Sequence, residues 1–324
     1  MTVTTRTRVR RALVLFVLLS LPCAPVALAG GFTGLVIFGD SLSDPGNHFI
    51  AFGTVEQRPF VPIPADSYAI GGHHFSNGAT WAEQLAERLH LPTSGRPALR
   101  VPGVFTNYAV GRARARPGAP VFPFHDLGTQ VGRFLSDFGG YASPDNLYVI
   151  WIGANDVSDA LEALADPGHG AASADAIIER AISAVADNIQ ALWVSGARTF
   201  LILNMPNPAA TPALRALGPA AQAAATRLTV AYNSALDEAL APTALGALPQ
   251  IRFVRLDVDA VFDEVVAAPR AAGVTNVTDP CLTFGVIRGA ICATPNRYLF
   301  WDGIHPTTAA HAILAEAAFL ALTP

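Results

Sequence analysis

A serine, a carboxylate–histidine pair and an asparagine carry the chemistry open to this chain. Phe38-Gly39-Asp40-Ser41-Leu42-Ser43-Asp44 follows directly on the apolar run Leu35-Val36-Ile37-Phe38. A serine beside a glycine just beyond a buried strand sits in a turn. There its hydroxyl and the neighbouring backbone N–H groups can face a substrate. A turn serine that caps the next helix looks the same locally, so this block alone leaves both roles open. Far along the chain, Asp302-Gly303-Ile304-His305-Pro306 sets a carboxylate three residues before a histidine. Over so short an arc the aspartate can reach Nδ1 of that imidazole, fix its tautomer and stabilise the imidazolium. Nε2 is then left to take a proton from a serine. Gly153-Ala154-Asn155-Asp156 follows the apolar run Tyr148 to Ile152. Asn155 would stand on the same sheet edge as Ser41, its amide able to donate to a developing oxyanion, an interaction worth about 3–4 kcal/mol in a transition state. As a plain Asn-Asp turn it would only end a strand. Asn107-Tyr108-Ala109-Val110-Gly111 offers a backbone N–H on a glycine-containing loop and by itself says little.

These residues need elements to bring them together. Leu35 to Phe38, Leu147 to Ile152, Thr199 to Leu203 and Ile251 to Leu256 are continuous apolar or β-branched runs, suited to strands buried on both faces of a parallel sheet. Helical patterns lie between them at Thr80 to Leu89, Leu127 to Phe138, Ser173 to Ser195, Pro219 to Leu240 and Pro306 to Leu320. Asp126 is a candidate N-cap, and Pro219 and Pro306 suit first helical turns. Strands alternating with helices predict a three-layer α/β domain around a parallel sheet. The Pro- and Gly-rich stretches 53–78 and 91–126 have no clean period. Loops that long are usually functional or poorly ordered, and both follow expected strand or helix ends, where rim loops of such folds carry ligands.

Composition narrows the class. The 324 residues are 51% hydrophobic and 14% charged, against roughly 25% charged in an average soluble protein, which excludes a disordered polyelectrolyte. All 21 basic residues are arginine. Arg6, Arg8, Arg10 and Arg11, the apolar stretch Ala12 to Leu21 and the small-x-small pattern Ala27-Leu28-Ala29 form a secretory signal peptide over residues 1–29. Its apolar run is shorter than the ~20 residues of a membrane span, so no transmembrane segment is expected after cleavage. Cleavage after Ala29 would remove four arginines and no acid, taking the formal charge from −4 to −8. Nucleic acid, which needs a basic face, is not an expected partner. The run Arg112-Ala113-Arg114-Ala115-Arg116 reads as a solvated loop edge. Cys23 leaves with the leader, and Cys281 and Cys292 are expected to pair as a disulfide in an oxidising compartment. His73-His74 lacks an acidic partner at ligand spacing, and no metal site is expected.

In this order the four blocks resemble the SGNH or GDSL hydrolase superfamily, and within it the plant-type GDSL lipases and esterases and the bacterial lecithinase/haemolysin-like secreted enzymes. Phe75-Ser76-Asn77-Gly78 with Trp81, Gly196-Ala197-Arg198, Asn276 to Cys281 and Tyr298 to Thr307 are also similar to that group. The resemblance implies one catalytic domain over residues 30–324, an α/β/α sandwich with a mostly parallel, flavodoxin-like sheet. It implies Ser41 as nucleophile, His305 as general base and acid, and Asp302 as the residue orienting His305. It assigns the oxyanion hole to the N–H groups of Ser41 and Gly111 and the Asn155 side chain. Asp40 would support the turn, and Asp44 and Asn47, which match the extended first block, would act as supporting hydrogen-bonding residues. Arg112 departs from the pattern, standing where a second glycine often follows Gly111. The implied activity is hydrolysis of carboxylic esters, lipid esters first, without metal or cofactor, in a secreted or periplasmic protein that touches lipid surfaces transiently. A glycan O-acetyl esterase, a lipid acyltransferase and a non-catalytic secreted binding protein are the alternatives.

Overall fold

The computed structural model describes residues 31–53, 73–118, 125–168, 170–283 and 290–323, so the expected leader lies outside the described residues. Four strands, β1 (Gly34–Gly39), β2 (Asn146–Trp151), β3 (Thr199–Leu203) and β4 (Arg252–Leu256), form one parallel sheet in that order. Side chains alternate across a strand. Leu35 and Ile37 therefore join Leu147, Val149 and Leu201 on one face, under the helices Trp81–Arg88 and Thr308–Leu322. Val36 and Phe38 join Tyr148, Ile150 and Phe200 on the other, under the helices Leu127–Asp137, Gly170–Val194 and Pro219–Ala239. The sheet is thus sandwiched, as the unbroken apolar runs require.

The free edge of β1 is closed by a segment that lies between β1 and β2 in sequence. Ile37 N–H donates to Thr106 O (3.0 Å) and Tyr108 N–H to Ile37 O (2.8 Å), a parallel bridge centred on Asn107. Counted from that segment, the chain crosses the sheet in the flavodoxin-like order, second-first-third-fourth-fifth.

The expected elements shift at their ends for local reasons. Thr307, not Pro306, begins the last helix, its Oγ1 accepting from Ala310 N–H (3.3 Å), so Pro306 stands before the helix and outside its first turn. Asp126 does cap its helix, accepting from Thr129 N–H at 2.8 Å. Helices at Asn47–Phe52, Ala154–Ala165 and Val258–Ala267 were not expected. Neither was a second, two-stranded parallel sheet of β5 (Asn276–Pro280) and β6 (Tyr298–Phe300). The Cys281–Cys292 disulfide joins the chain just after β5. There Cys281 and Leu282 N–H groups donate to Phe300 O and Trp301 O (3.1 and 2.7 Å), bracing the approach to Asp302. No described helix is long and apolar enough to cross a membrane.

Candidate active site

Ser41 stands two residues beyond the end of β1. The strand end is pinned by Gln130, which accepts from Gly39 N–H (2.9 Å) and donates to Gly39 O (2.8 Å). Asp40 Oδ1 accepts from Leu42 N–H at 3.0 Å and closes the turn. Burial pushes the Asp40 carboxyl up to about 7, against the Leu42 bond and the charge of His305. Trp81 Nε1–H donates to Ser43 Oγ (3.0 Å), tying the turn to a helix under the sheet.

His305 Nε2 lies 2.8 Å from Ser41 Oγ, and His305 Nδ1 lies 2.8 Å from Asp302 Oδ2. An ionised carboxylate only accepts, so Nδ1 carries the ring proton, and Nε2 accepts from the Ser41 hydroxyl. Asp302 Oδ1 takes the N–H groups of Ile304 and His305 (2.9 and 2.8 Å). Burial would raise this carboxyl. The charge of His305 and these hydrogen bonds outweigh it and hold Asp302 below the usual carboxylate value. The rim stretch 73–80 supports the histidine. Phe75 packs on its ring at 5.2 Å, and Ser76 Oγ–H donates to Pro306 O at 2.9 Å.

Asn155 occupies the first turn of the helix Ala154–Ala165, which leaves the C-terminal end of β2 through Gly153. Gly153 adopts φ 127°, and a Cβ there would meet the Tyr232 hydroxyl, which donates to Ile152 O at 2.6 Å. One Asn155 amide hydrogen goes to Ala113 O (3.0 Å). Ser41, Asn155 and His305 border one cleft at the carboxyl edge of the sheet, where open α/β folds bind ligands. Its walls are largely apolar and include Leu42, Leu161, Met205, Leu214, Phe262 and Val266.

Gly111 does not stand as expected. Its N–H donates to the buried Asp44 Oδ2 at 2.7 Å and is thus engaged within the protein. The glycine is needed instead for close packing, because a Cβ would sit 2.3 Å from Phe75 Cε2. Asp44 also accepts the N–H groups of Gly46, Asn47 and His48 (2.8, 2.6 and 3.0 Å), and burial still pushes its carboxyl up to about 6. Asn47 Nδ2–H groups donate to Asn107 O and Ala109 O (2.8 and 2.9 Å), fastening the second loop to the first. Arg112 adopts φ 68°, the left-handed conformation that explains why a glycine often stands there. The arginine run is no solvated edge: Arg114 and Arg116 are paired with Asp159 and Asp156, their side chains only 17% and 13% exposed. Gln130 and Tyr232 carry no chemical signature and stand in none of the blocks the sequence singled out, whereas Phe75 stands in one of them without a role assigned there.

His74 pairs with Glu83 at 2.8 Å, and His73 stacks on Phe49. Trp301 is fully buried against Phe75, Cys281 and Leu282. Among the described residues no three or more His, Cys, Asp or Glu side chains are grouped to hold a metal ion.

The profile of the family described as GDSL-like lipase/acylhydrolase matches residues 35–318. A GDSL esterase/lipase of Arabidopsis thaliana is 25% identical over 316 residues, covering 88% of this chain and 81% of the relative. The thermolabile hemolysin of Vibrio parahaemolyticus is 27% identical, covering 87% of this chain and 62% of the hemolysin. A phosphatidylcholine-sterol acyltransferase of Aeromonas hydrophila is 25% identical over 89% of each. Among solved structures, an acetyl xylan esterase from Geobacillus stearothermophilus aligns over 91% of this chain and 96% of its own. It is 14% identical, with a TM-score of 0.46.

Proposed function

This chain belongs to the GDSL-like lipase/acylhydrolase family and is a carboxylic ester hydrolase, and we propose that it works through Ser41, His305 and Asp302 on esters with an apolar acyl chain. The observation that carries this reading is the 2.8 Å approach of His305 Nε2 to Ser41 Oγ, at the head of the apolar cleft. Ser41 Oγ attacks the ester carbonyl carbon as its proton passes to His305 Nε2. Asp302 stays ionised and stabilises the imidazolium. The oxyanion accepts from the Ser41 N–H and from the Asn155 amide hydrogen that Ala113 O does not hold. His305 then protonates the leaving alcohol. Water, deprotonated by the same imidazole, attacks the acyl-Ser41 and releases the carboxylic acid.

The apolar walls favour a lipid ester over an acetylated glycan. Transfer to an alcohol in place of water is a second reading of the same site, and the similarity to the Aeromonas hydrophila phosphatidylcholine-sterol acyltransferase favours it. We also read residues 1–29 as a leader removed on export, consistent with a disulfide, which persists in oxidising compartments.

A panel of p-nitrophenyl esters from acetyl to palmitoyl, with phosphatidylcholine and acetylated xylan beside it, tests the proposal. Turnover is expected to favour the longer acyl chains and to vanish in Ser41→Ala. A preference for acetylated xylan would overturn the lipid reading. Full turnover by Ser41→Ala would overturn the site.

A further inference from the structure

The Ala113–Arg116 stretch lies across the first turns of the helix that carries Asn155. Asn155 Nδ2–H donates to Ala113 O (3.0 Å), and Ala115 N–H donates to Asp156 Oδ2 (2.7 Å). Arg116 Nη1–H donates to Asp156 Oδ1 (3.0 Å), and its Nη2 reaches Asp159. Arg114 grips Asp159 with two donors, Nε and Nη2, at 3.0 and 2.8 Å, and folds Nη1 back onto Arg112 O at 2.7 Å. The Asp156 side chain is 0% exposed. A carboxylate so placed needs a cation and hydrogen bonds to stay ionised, and removing its partner leaves an uncompensated buried charge.

An amide nitrogen is planar, so fixing one of its hydrogens fixes the direction of the other. The aim of the second Asn155 hydrogen is thus set by Ala113 O, and Ala113 O is set by the arginine–aspartate network on either side. Planar, bidentate guanidinium groups suit such a task better than lysines. We propose that Arg116, assisted by Arg114, is a positioning residue that aims the Asn155 amide at the oxyanion. This rests on the reading of Asn155 as an oxyanion donor.

The test is a double-mutant cycle on the full chain, with kcat and KM for a p-nitrophenyl ester in Arg116→Gln, Asn155→Ala and the double variant. Loss of one oxyanion donor costs roughly 100-fold or more in kcat, and a misaimed donor is expected to cost about tenfold. Arg116→Gln should therefore lower kcat about tenfold with KM little changed. In the Asn155→Ala background the same change should cost less than about twofold, because the group it aims is gone. Arg116→Lys should recover part of the loss. If Arg116→Gln does not fold, Arg114→Gln, which leaves Asp156 paired, should give the same non-additive pattern at smaller size. Full additivity with Asn155→Ala, or a rise in KM at unchanged kcat, would overturn the proposal while leaving the catalytic reading intact. Wild-type kcat in Asn155→Ala would overturn the reading of Asn155 itself, and turnover by Ser41→Ala the whole site.

Discussion

At residue 111 a glycine is required by what lies against its Cα. A methyl group there would meet the Phe75 ring at 2.3 Å, and that ring packs on His305 at 5.2 Å and on His48 at 5.4 Å. Gly111→Ala is therefore expected to press Phe75 toward the imidazole, lowering kcat and costing about 1–3 kcal/mol of overpacking strain. Urea unfolding of Gly111→Ala and of the Gly111→Ala, Phe75→Leu double variant checks this. The double variant should regain most of the lost stability, and equal losses in the two would place the strain elsewhere. The sequence marked Gly111 as special through its block. Its role was legible only from Asp44 and Phe75, neither of which announces where its atoms point.

At the scale of elements, Ser41, Asp302 and His305 stand in loops fastened by turns and caps, and Asn155 in the first turn of a helix. Thr307 both donates to Tyr298 O (2.7 Å) and accepts from Ala310 N–H, starting the last helix two residues after His305. Thr307→Ala should cost about 1–2 kcal/mol and Thr307→Ser only a few tenths, measured by thermal unfolding. Equal losses would show that the side chain's bonds contribute nothing. The buried strands were readable because apolar runs covered on both faces have no other soluble solution. The spacing of Asp302 and His305 was readable because three residues bring a carboxylate to an imidazole within one turn. The helix Ala154–Ala165 was hidden because its first turn holds Asn155 and Asp156, residue types that favour turns. The arginine run looked solvated because its partners Asp156 and Asp159 lie some forty residues away, and no local pattern records a long-range ion pair.

For the whole molecule, buried ionisable groups set the pH range of stability. Burial lowers His48 to about 4, and burial with the charges of His305 and His74 lowers His311 to about 3, from an ordinary 6.5. The unfolded chain binds more protons at these sites, so their contribution is lost as pH falls below 6.5. Asp40, raised to about 7, and Asp44 and Asp156, each raised to about 6 from 3.8, act oppositely. Their contribution is complete below 3.8 and lost as pH rises through 6 to 7. Asp302, held low, loses its contribution as pH falls below 3.8. Between about pH 4 and 6.5 the two sets therefore oppose each other, and above about pH 7 neither changes further. Denaturation across pH in two variants separates the sets. The stability of His311→Asn relative to the parent should improve as pH falls from 6.5 toward 3, and that of Asp40→Asn as pH rises from 4 to 7. Trends of the opposite sign would contradict the burial assignments.

The most direct test of the central claim is the position of a covalent adduct. With an alkyl fluorophosphonate, peptide mass spectrometry should find one phosphonyl group, on Ser41. Its formation should slow by orders of magnitude in His305→Ala, while thermal unfolding shows that variant still folded. An adduct on another serine, or undiminished labelling of Ser41 without the imidazole, would contradict the account.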